Sequence, residues 1–175
     1  ILKLYVTKKI VAMKQIMSKK MKIKVIGAGL AGCEAAHQLA KRGFSVDLYE
    51  MKPVKYTPAH HYEGLSELVC SNSLKAMRLE SAAGLLKAEM EMMDSLIIEC
   101  AKKTSVAAGG ALAVDRKLFS DMVTQRIKSN PNINLISEEV TEIPDGPVII
   151  ATGPLTSDAL TDKISALCGQ SLYFY

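Results

Sequence analysis

The segment Gly27-Ala28-Gly29-Leu30-Ala31-Gly32 restricts the fold of this chain more than any other part of the sequence. It follows the apolar stretch Lys22–Ile26, which is typical of a short β-strand, and it opens the Ala- and Leu-rich stretch Leu30–Arg42, which is typical of a helix. Three glycines spaced in this way between a strand and a helix predict a phosphate-binding turn. The alternative is a glycine turn in an α/β protein that binds no ligand.

Each glycine of this turn has its own expected role. Gly27 permits the tight turn, Gly29 lets the backbone approach a pyrophosphate, and Gly32 lets helix and strand pack closely. The unpaired N–H groups at the helix start would then hold the phosphates. Glu50 ends a second predicted strand, Ser45–Glu50, and would accept hydrogen bonds from the ribose hydroxyls. The cofactor-binding residues predicted here are Gly27, Ala28, Gly29, Leu30, Ala31, Gly32 and Glu50.

Strands and helices alternate along the rest of the chain. A long loop is expected over Met51–Ser73 and a helix over Ser81–Lys103, with its methionines filling the core. The apolar face predicted for that helix comprises Ala82, Leu86, Met90, Met93, Ile97 and Cys100. The later elements predicted are a helix from its cap Asp115 to Lys128, β-like stretches Asn134–Ile136, Glu138–Ile143 and Val148–Ala151, and a helix over Thr156–Leu167. This order predicts an α/β fold with a Rossmann-like doubly wound parallel sheet and an additional short β segment.

The stretch Val148–Pro154 favours FAD over NAD as the dinucleotide. It is an apolar strand that ends in Ala-Thr-Gly. In many two-domain flavoproteins such a strand returns beside the first one, and its backbone passes close to the dinucleotide. The stretch Glu138–Ile143 is expected to be the strand that flanks the adenine. Residues 21–175 are therefore predicted to be the N-terminal part of an incomplete FAD-binding domain. The residues that this adds to the predicted cofactor site are Val140, Ala151, Thr152 and Gly153.

The net charge of +4 does not indicate a nucleic-acid-binding surface, because the excess lies at one end. Residues 1–20 hold six lysines and no acid, which leaves 16 basic and 18 acidic residues in the rest, a net charge of −2. We interpret residues 1–20 as a basic N-terminal extension, either native or not, without the features of a targeting signal. The composition further predicts no metal site, no membrane span and a reducing, cytoplasmic location.

Cys70 is the residue expected to carry chemistry. It lies in the long loop, within Val69-Cys70-Ser71-Asn72-Ser73, ahead of a predicted helix. The thiolate is the reactive form of cysteine, and a helix N-terminus with nearby hydroxyl and amide donors stabilises it. The alternative is a buried, inert thiol.

Cys33, Cys100 and Cys168 are interpreted as structural. His60 and His61 are interpreted as solvated loop residues, with a position beside flavin or substrate as the alternative. The pair Gly109-Gly110 fits equally a simple turn and a close backbone approach near the flavin, and Arg116 is interpreted as a solvated residue of a helix's first turn.

Seven segments together resemble the folate- and FAD-dependent tRNA uracil-5-methyltransferase family. They are VIGAGLAGCEAAHQLAKRG, DLYEMKPVKYTPAHH, ELVCSNSLKA, GLLKAEM, AAGGALAVDR, SEEVTEIPDGP and VIIATGPLTS. The resemblance runs almost without gaps from Lys22 to Tyr175. It implies a bacterial, cytoplasmic enzyme that reduces FAD with NAD(P)H, takes a one-carbon unit from methylenetetrahydrofolate and makes 5-methyluridine in the T-loop of tRNA. It also implies that Cys70 matches the cysteine of the family's active site.

The chain departs from the family in ways that leave other functions open. His37 stands where an aromatic residue is usual, Lys75 stands where arginine is usual, and the chain has well under half of the family's length. Most contacts to tRNA are therefore expected outside this chain, and the chain by itself is expected to be inactive. The alternatives are another FAD-dependent oxidoreductase or tRNA-modifying flavoprotein of the same fold, and an inactive remnant that at most binds a dinucleotide.

Overall fold

The computed structural model describes residues 21–169, so the predicted basic extension lies outside the described residues. In chain order the elements are β1 (Lys22–Ile26), α1 (Leu30–Lys41), β2 (Ser45–Glu50), β3 (Ser73–Ala76), α2 (Ala82–Met92), α3 (Leu96–Lys103), β4 (Ser105–Val106), β5 (Ala111–Val114), α4 (Arg116–Lys128), β6 (Ile133–Ser137), β7 (Val148–Ile150) and α5 (Asp158–Cys168). A short 3-10 turn, Gly153–Leu155, precedes α5. Within this part of the chain, no helix is both long enough and apolar enough to cross a membrane.

The central sheet is four-stranded and parallel, in the order β6-β2-β1-β7. The third, second, first and fourth parallel strands of the chain thus lie side by side, which is the Rossmann order. Ile26 pairs with both Tyr49 and Ile150, so β1, β2 and β7 end at nearly the same level. The predicted α/β fold class with a Rossmann-like parallel sheet is therefore confirmed.

The core lies between this sheet and the helices α1, α3 and α4. Val25 and Leu48 of the sheet are fully buried there, as are Cys33 of α1 and Phe119 and Val123 of α4. Helix α4 begins as the sequence predicts, because the Asp115 carboxylate accepts a hydrogen bond from Leu118 N at 2.9 Å. A second sheet, antiparallel and in the order β3-β5-β4, lies beside this core.

The long helix predicted over Ser81–Lys103 is wrong: the chain forms α2 and α3 with a break between them. Asp94 has a φ of +55°, and Ser95 caps α3 by accepting a hydrogen bond from Ile98 N at 3.2 Å. The Glu34 carboxylate of α1 also binds the N-terminus of α3. It accepts hydrogen bonds from the Ser95 hydroxyl at 2.7 Å and from Ile97 N at 3.0 Å. A contact with α1 therefore overrides the continuous helical pattern.

The break also corrects the predicted apolar face. Ile97 and Cys100 are buried as expected, but Leu86 and Met93 are exposed, and Met92 is 86% exposed. The methionines at the end of α2 therefore do not fill the core. The single periodic face divides because α2 and α3 no longer share one axis.

The strand predicted over Glu138–Ile143 is also wrong, because the strand that pairs with β2 is β6 and it ends at Ser137. Ser137 pairs with Glu50, the last residue of β2, so no strand continues beside the chain beyond that point. Glu138 N still donates to Glu50 O at 2.9 Å, after which the chain is irregular as far as β7. The last helix begins at Asp158 rather than Thr156, after the 3-10 turn.

Glu99 links α3 to α4 and provides a test of this packing. Its carboxylate accepts two hydrogen bonds from the Arg126 guanidinium, at 2.8 and 3.0 Å, and one from Lys103 Nζ at 2.7 Å. These cations, Arg126 foremost, lower the pKa of Glu99 from 4.5 to about 2. Because the folded-state pKa is depressed, the stabilisation is present above pH 4.5 and is lost as the pH falls through 2.

We therefore expect Glu99→Gln to lower the free energy of unfolding at pH 7 by less than about 1 kcal/mol, since the pair is partly exposed to solvent. The difference from wild type should shrink below pH 4.5 and vanish only below pH 2. Urea denaturation at a series of pH values measures it. A difference that stays constant down to pH 2 would contradict the ion-pair interpretation.

Candidate dinucleotide-binding site

The glycine turn is enclosed between β1, α1 and the end of β7. Gly27 has a φ of +93°, and its N–H donates to Tyr49 O at 2.8 Å. A Cβ on Gly27 would lie 2.9 Å from both Ala151 O and Thr152 Cα, so the backbone after β7 leaves no space for a side chain. Both the positive φ and this contact require glycine here.

Gly32 and Gly29 have opposite surroundings. A Cβ on Gly32 would lie 1.7 Å from Gly27 O, because the first turn of α1 rests directly on the glycine turn. Around Gly29, by contrast, no atom lies within 4 Å of the Cβ position, and the residue is exposed. The open side of the turn is thus the side on which a bound pyrophosphate would lie.

The start of α1 has no side-chain cap within the described part of the chain, whereas Ser81, Ser95 and Asp115 cap α2, α3 and α4. Its N-cap residue is Gly29, which offers no side-chain acceptor, and the first turn contains no acidic residue. The first N–H groups of a helix need partners, and the helix start is the positive end of its dipole. An anion such as a phosphate fits this position.

Glu50 connects the end of β2 to the turn. Its Oε2 accepts a hydrogen bond from Ala28 N at 3.0 Å, and its Oε1 accepts one from Lys52 N at 3.1 Å. A carboxylate has about four lone-pair sites, so both oxygens can still accept from a ligand hydroxyl. Glu50 can therefore hold the turn and contact a ribose at the same time.

An open cleft lies at the carboxyl ends of β1, β2 and β7. The chain changes direction in the sheet between β1 and β7, and ligands of open α/β sheets bind at such a switch point. The predicted site residues that line the cleft are Gly27, Gly29, Glu50, Val140, Ala151 and Thr152. Those that do not line it are Ala28, Leu30, Ala31, Gly32 and Gly153. Dinucleotide binding stays a prediction both for the residues that line the cleft and for those that do not.

The cleft also contains residues that the sequence did not single out as site residues. Among them are Thr57, Glu139, Thr156, Ser157 and Leu160. Thr57 comes from the loop after β2, Thr156 and Ser157 from the turn before α5, and Leu160 from α5 itself. Nothing in their spacing indicates that the two segments meet, because the contact arises from the neighbouring positions of β2, β1 and β7 in the sheet.

His60 belongs to the cleft, whereas its neighbour His61 is exposed. The Thr57 hydroxyl accepts from Ala59 N at 3.3 Å and shares a hydrogen bond of 2.6 Å with His60 Nδ1. Burial, followed by the charge of Lys52, lowers the pKa of His60. The interpretation of His60 as a solvated loop residue is therefore wrong, and its lowered pKa favours the neutral ring at pH 7. The alternative, a position beside a bound flavin or substrate, stays a prediction.

Cys70 is exposed and does not line the cleft. The segment that follows it is β3, and the next helix begins only at Ala82, so the predicted helix start beside Cys70 is wrong. The backbone after Cys70 pairs with β5 instead, with Val114 N donating to Asn72 O at 3.0 Å.

Two of the other cysteines differ from Cys70. Burial raises the pKa of the Cys33 thiol to about 12 and that of Cys100 to about 11, as expected of inert thiols. Cys168 is exposed.

Within residues 21–169, no three side chains of His, Cys, Asp or Glu lie together as they would around a metal ion. The cleft and the exposed thiols of Cys70 and Cys168 remain as groups available for chemistry in the described part of the chain.

Comparison with known proteins assigns this chain to a protein family. The family model of glucose inhibited division protein A matches residues 22–171. The methylenetetrahydrofolate–tRNA-(uracil-5-)-methyltransferases TrmFO of Bacillus licheniformis and Bacillus subtilis are 62% and 61% identical to this chain over 154 residues, 87% of its length. Those residues make up only 36% and 35% of the two relatives, so the chain spans about a third of their length. The resemblance found from the sequence motifs is thus confirmed.

Among solved structures, GidA of Aquifex aeolicus has the same fold. The two structures superpose with a TM-score of 0.57 over 75% of this chain and 21% of that chain, at 16% sequence identity. At so low an identity the similarity concerns the fold alone.

The two glycines offer a matched pair of substitutions. We expect Gly32→Ala to lower the free energy of unfolding by more than about 2 kcal/mol, because its Cβ would overlap a backbone carbonyl that cannot move freely. Gly29→Ala should cost less than about 1 kcal/mol, the usual effect of alanine at an N-cap. Urea denaturation of both variants measures the difference. Equal costs would contradict the close contact between α1 and the turn.

Proposed function

Because the chain belongs to the glucose inhibited division protein A family, we propose that it is the FAD-binding N-terminal part of an enzyme that methylates C5 of uridine in the T-loop of tRNA. The observation that carries this proposal is the identity of about 60% to TrmFO proteins over 87% of the chain. Since the chain spans about a third of those relatives, the activity and the substrates methylenetetrahydrofolate, NAD(P)H and tRNA are proposed for the full-length protein. The cytoplasm, where tRNA is found, is its proposed location.

Several features of the cleft support FAD as the bound cofactor. The uncapped start of α1 and the open space at Gly29 suit the pyrophosphate, and Glu50 suits the hydroxyls of the adenosine ribose. Ala151 and Thr152, which lie against Gly27, also line the cleft. When bound, FAD supplies the two electrons, taken from NAD(P)H, that reduce the transferred one-carbon unit to a methyl group.

Cys70 is the proposed nucleophile of the reaction. Uracil C5 is a weak nucleophile until a group adds to C6. Addition of the Cys70 thiolate forms an S–C6 bond and moves the electron pair of the C5=C6 bond towards C5, which can then bond to the one-carbon unit of methylenetetrahydrofolate. Loss of the C5 proton expels tetrahydrofolate as the bond between its nitrogen and the one-carbon unit breaks. Two electrons and a proton then convert this carbon to a methyl group, and departure of the Cys70 thiolate restores the ring. The exposure of Cys70 supports this role, since the thiol must reach a base in a large RNA.

A full-length chimera, in which residues 22–171 replace the matching region of the Bacillus licheniformis relative, tests the cofactor. We expect the purified chimera to show flavin absorbance in the visible spectrum. Gly29→Val should abolish FAD uptake without unfolding the protein, because its side chain would enter the space of the pyrophosphate. Ala82→Val, a similar enlargement on the exposed part of α2, should leave uptake unchanged. A chimera that stays colourless when FAD is supplied would contradict the proposal.

The role of Cys70 is tested in the same chimera. We expect Cys70→Ala to lower methyl incorporation into tRNA at least about 10³-fold, as loss of a catalytic nucleophile does, while FAD stays bound and reducible by NAD(P)H. Cys168→Ala, at the other exposed cysteine, is the control and should methylate normally. Near-normal methylation by Cys70→Ala would exclude the nucleophile role.

A further inference from the structure

We propose that Lys52 is a positioning residue, whose buried ammonium group ties the loop 61–70 to the glycine turn and so sets the place of Cys70 relative to the cofactor cleft. This inference rests on the proposed function, because it concerns the presentation of the Cys70 thiol. In the sequence, nothing distinguishes Lys52 from the other lysine and arginine residues, which number 22 with it.

The contacts of Lys52 are unusual for a lysine. Its side chain is only 4% exposed. Its Nζ donates to Tyr62 O at 3.0 Å, to Gly64 O at 2.7 Å and to Glu67 Oε2 at 3.1 Å. An ammonium group has three protons, so every donor is used, and all three acceptors belong to one six-residue stretch of the loop.

Glu67 completes the tie from the side of the loop. Its second oxygen, Oε1, accepts from His61 N at 2.9 Å and from Tyr62 N at 3.1 Å. Burial alone would raise the pKa of Glu67, but the His61 hydrogen bond and the Lys52 ammonium outweigh it, so the pKa lies below its usual value. The carboxylate therefore stays ionised at neutral pH and holds both ends of the stretch 61–67.

The same loop is attached to the glycine turn at two points. The backbone N–H of Lys52 donates to Glu50 Oε1 at 3.1 Å, while Glu50 Oε2 accepts from Ala28 N. Ala28 O in turn accepts from Ser66 N at 2.9 Å. The turn, Glu50, Lys52 and the loop thus form a closed ring of contacts, and a shift of the loop would require a shift of the turn.

Helix α4 supports the loop from the opposite side. Leu65 N donates to Thr124 Oγ1 at 2.8 Å, and Ser120 Oγ donates to Leu65 O at 2.6 Å. Beyond Glu67, Leu68 packs against the core, but between Glu67 and Asn72 no hydrogen bond or ion pair to another segment is present in the described part of the chain. Cys70 lies three residues beyond Glu67, within about 11 Å of it along the backbone. The pair Lys52–Glu67 is therefore the last polar anchor before the thiol.

A buried ion pair adds little net stability, because the loss of hydration offsets much of the attraction between its charges. Its contribution is one defined geometry, with every donor directed to one acceptor. This property suits a group that fixes the position of a reactive side chain rather than one that only strengthens a core.

The experiment compares Lys52→Met, Lys52→Arg and the control Lys102→Met in the full-length chimera; Lys102 is an exposed lysine paired with Glu91. We expect Lys52→Met to lower kcat for methyl transfer about 10²-fold, the cost of a misplacement near 1 Å, with FAD content, flavin reduction and the KM for tRNA unchanged. The His61 and Tyr62 amides should exchange hydrogen at least about tenfold faster, while those of β1 and β2 stay protected. Lys52→Arg should restore most of the kcat, and Lys102→Met should not change it.

Wild-type kcat in Lys52→Met, or loss of bound FAD in proportion to lost activity, would overturn the positioning role. If Lys52→Met does not fold, Glu67→Gln provides the same test, because it removes the charge while keeping the shape and the acceptor for the backbone. Failure of the proposed function has a different signature: Cys70→Ala would then methylate normally, whereas amide exchange would still report whether Lys52 anchors the loop.

Discussion

The contact between the first turn of α1 and the carbonyl group of Gly27 is the constraint on which the rest of the site depends. A single added carbon at Gly32 would lie 1.7 Å from that oxygen, so helix and turn touch through their backbones. This approach directs the start of α1 at the carboxyl ends of the parallel strands. Because Gly29 brings no capping side chain, the free N–H groups there remain available for an anion.

Hydrogen bonds attach Glu50 and the loop that carries Cys70 to this turn. Glu50 holds the turn through Ala28 N, and Ser66 N binds Ala28 O from the other side. Lys52 extends these contacts into the loop that carries Cys70. A short series of hydrogen bonds thus connects the predicted cofactor site to the loop that carries the thiol. These bonds give the loop after β2 a defined position without regular secondary structure.

Local chemistry explains which predictions from the sequence succeeded. β1, β2 and α1 were predicted within one residue, because apolar alternation and glycine punctuation are properties of neighbouring residues. The Asp115 cap and the buried state of Cys33 and Cys100 follow for the same reason. The predictions failed where a distant group decides. The break before α3 depends on Glu34 of another helix, and the end of β6 depends on the end of β2.

The sequence by itself determined the glycine turn, the parallel sheet and the family, because these are encoded in residue spacing and in long stretches of identity. Only the tertiary structure decided that His60 enters the cleft while His61 does not, that Cys70 precedes a strand, and that Lys52 is buried. The physical reason is that burial and pairing depend on which segments meet across the sheet. From the sequence alone, a lysine is predicted to lie at the surface. The burial of Lys52 becomes evident only from the two carbonyl groups and the carboxylate that surround it.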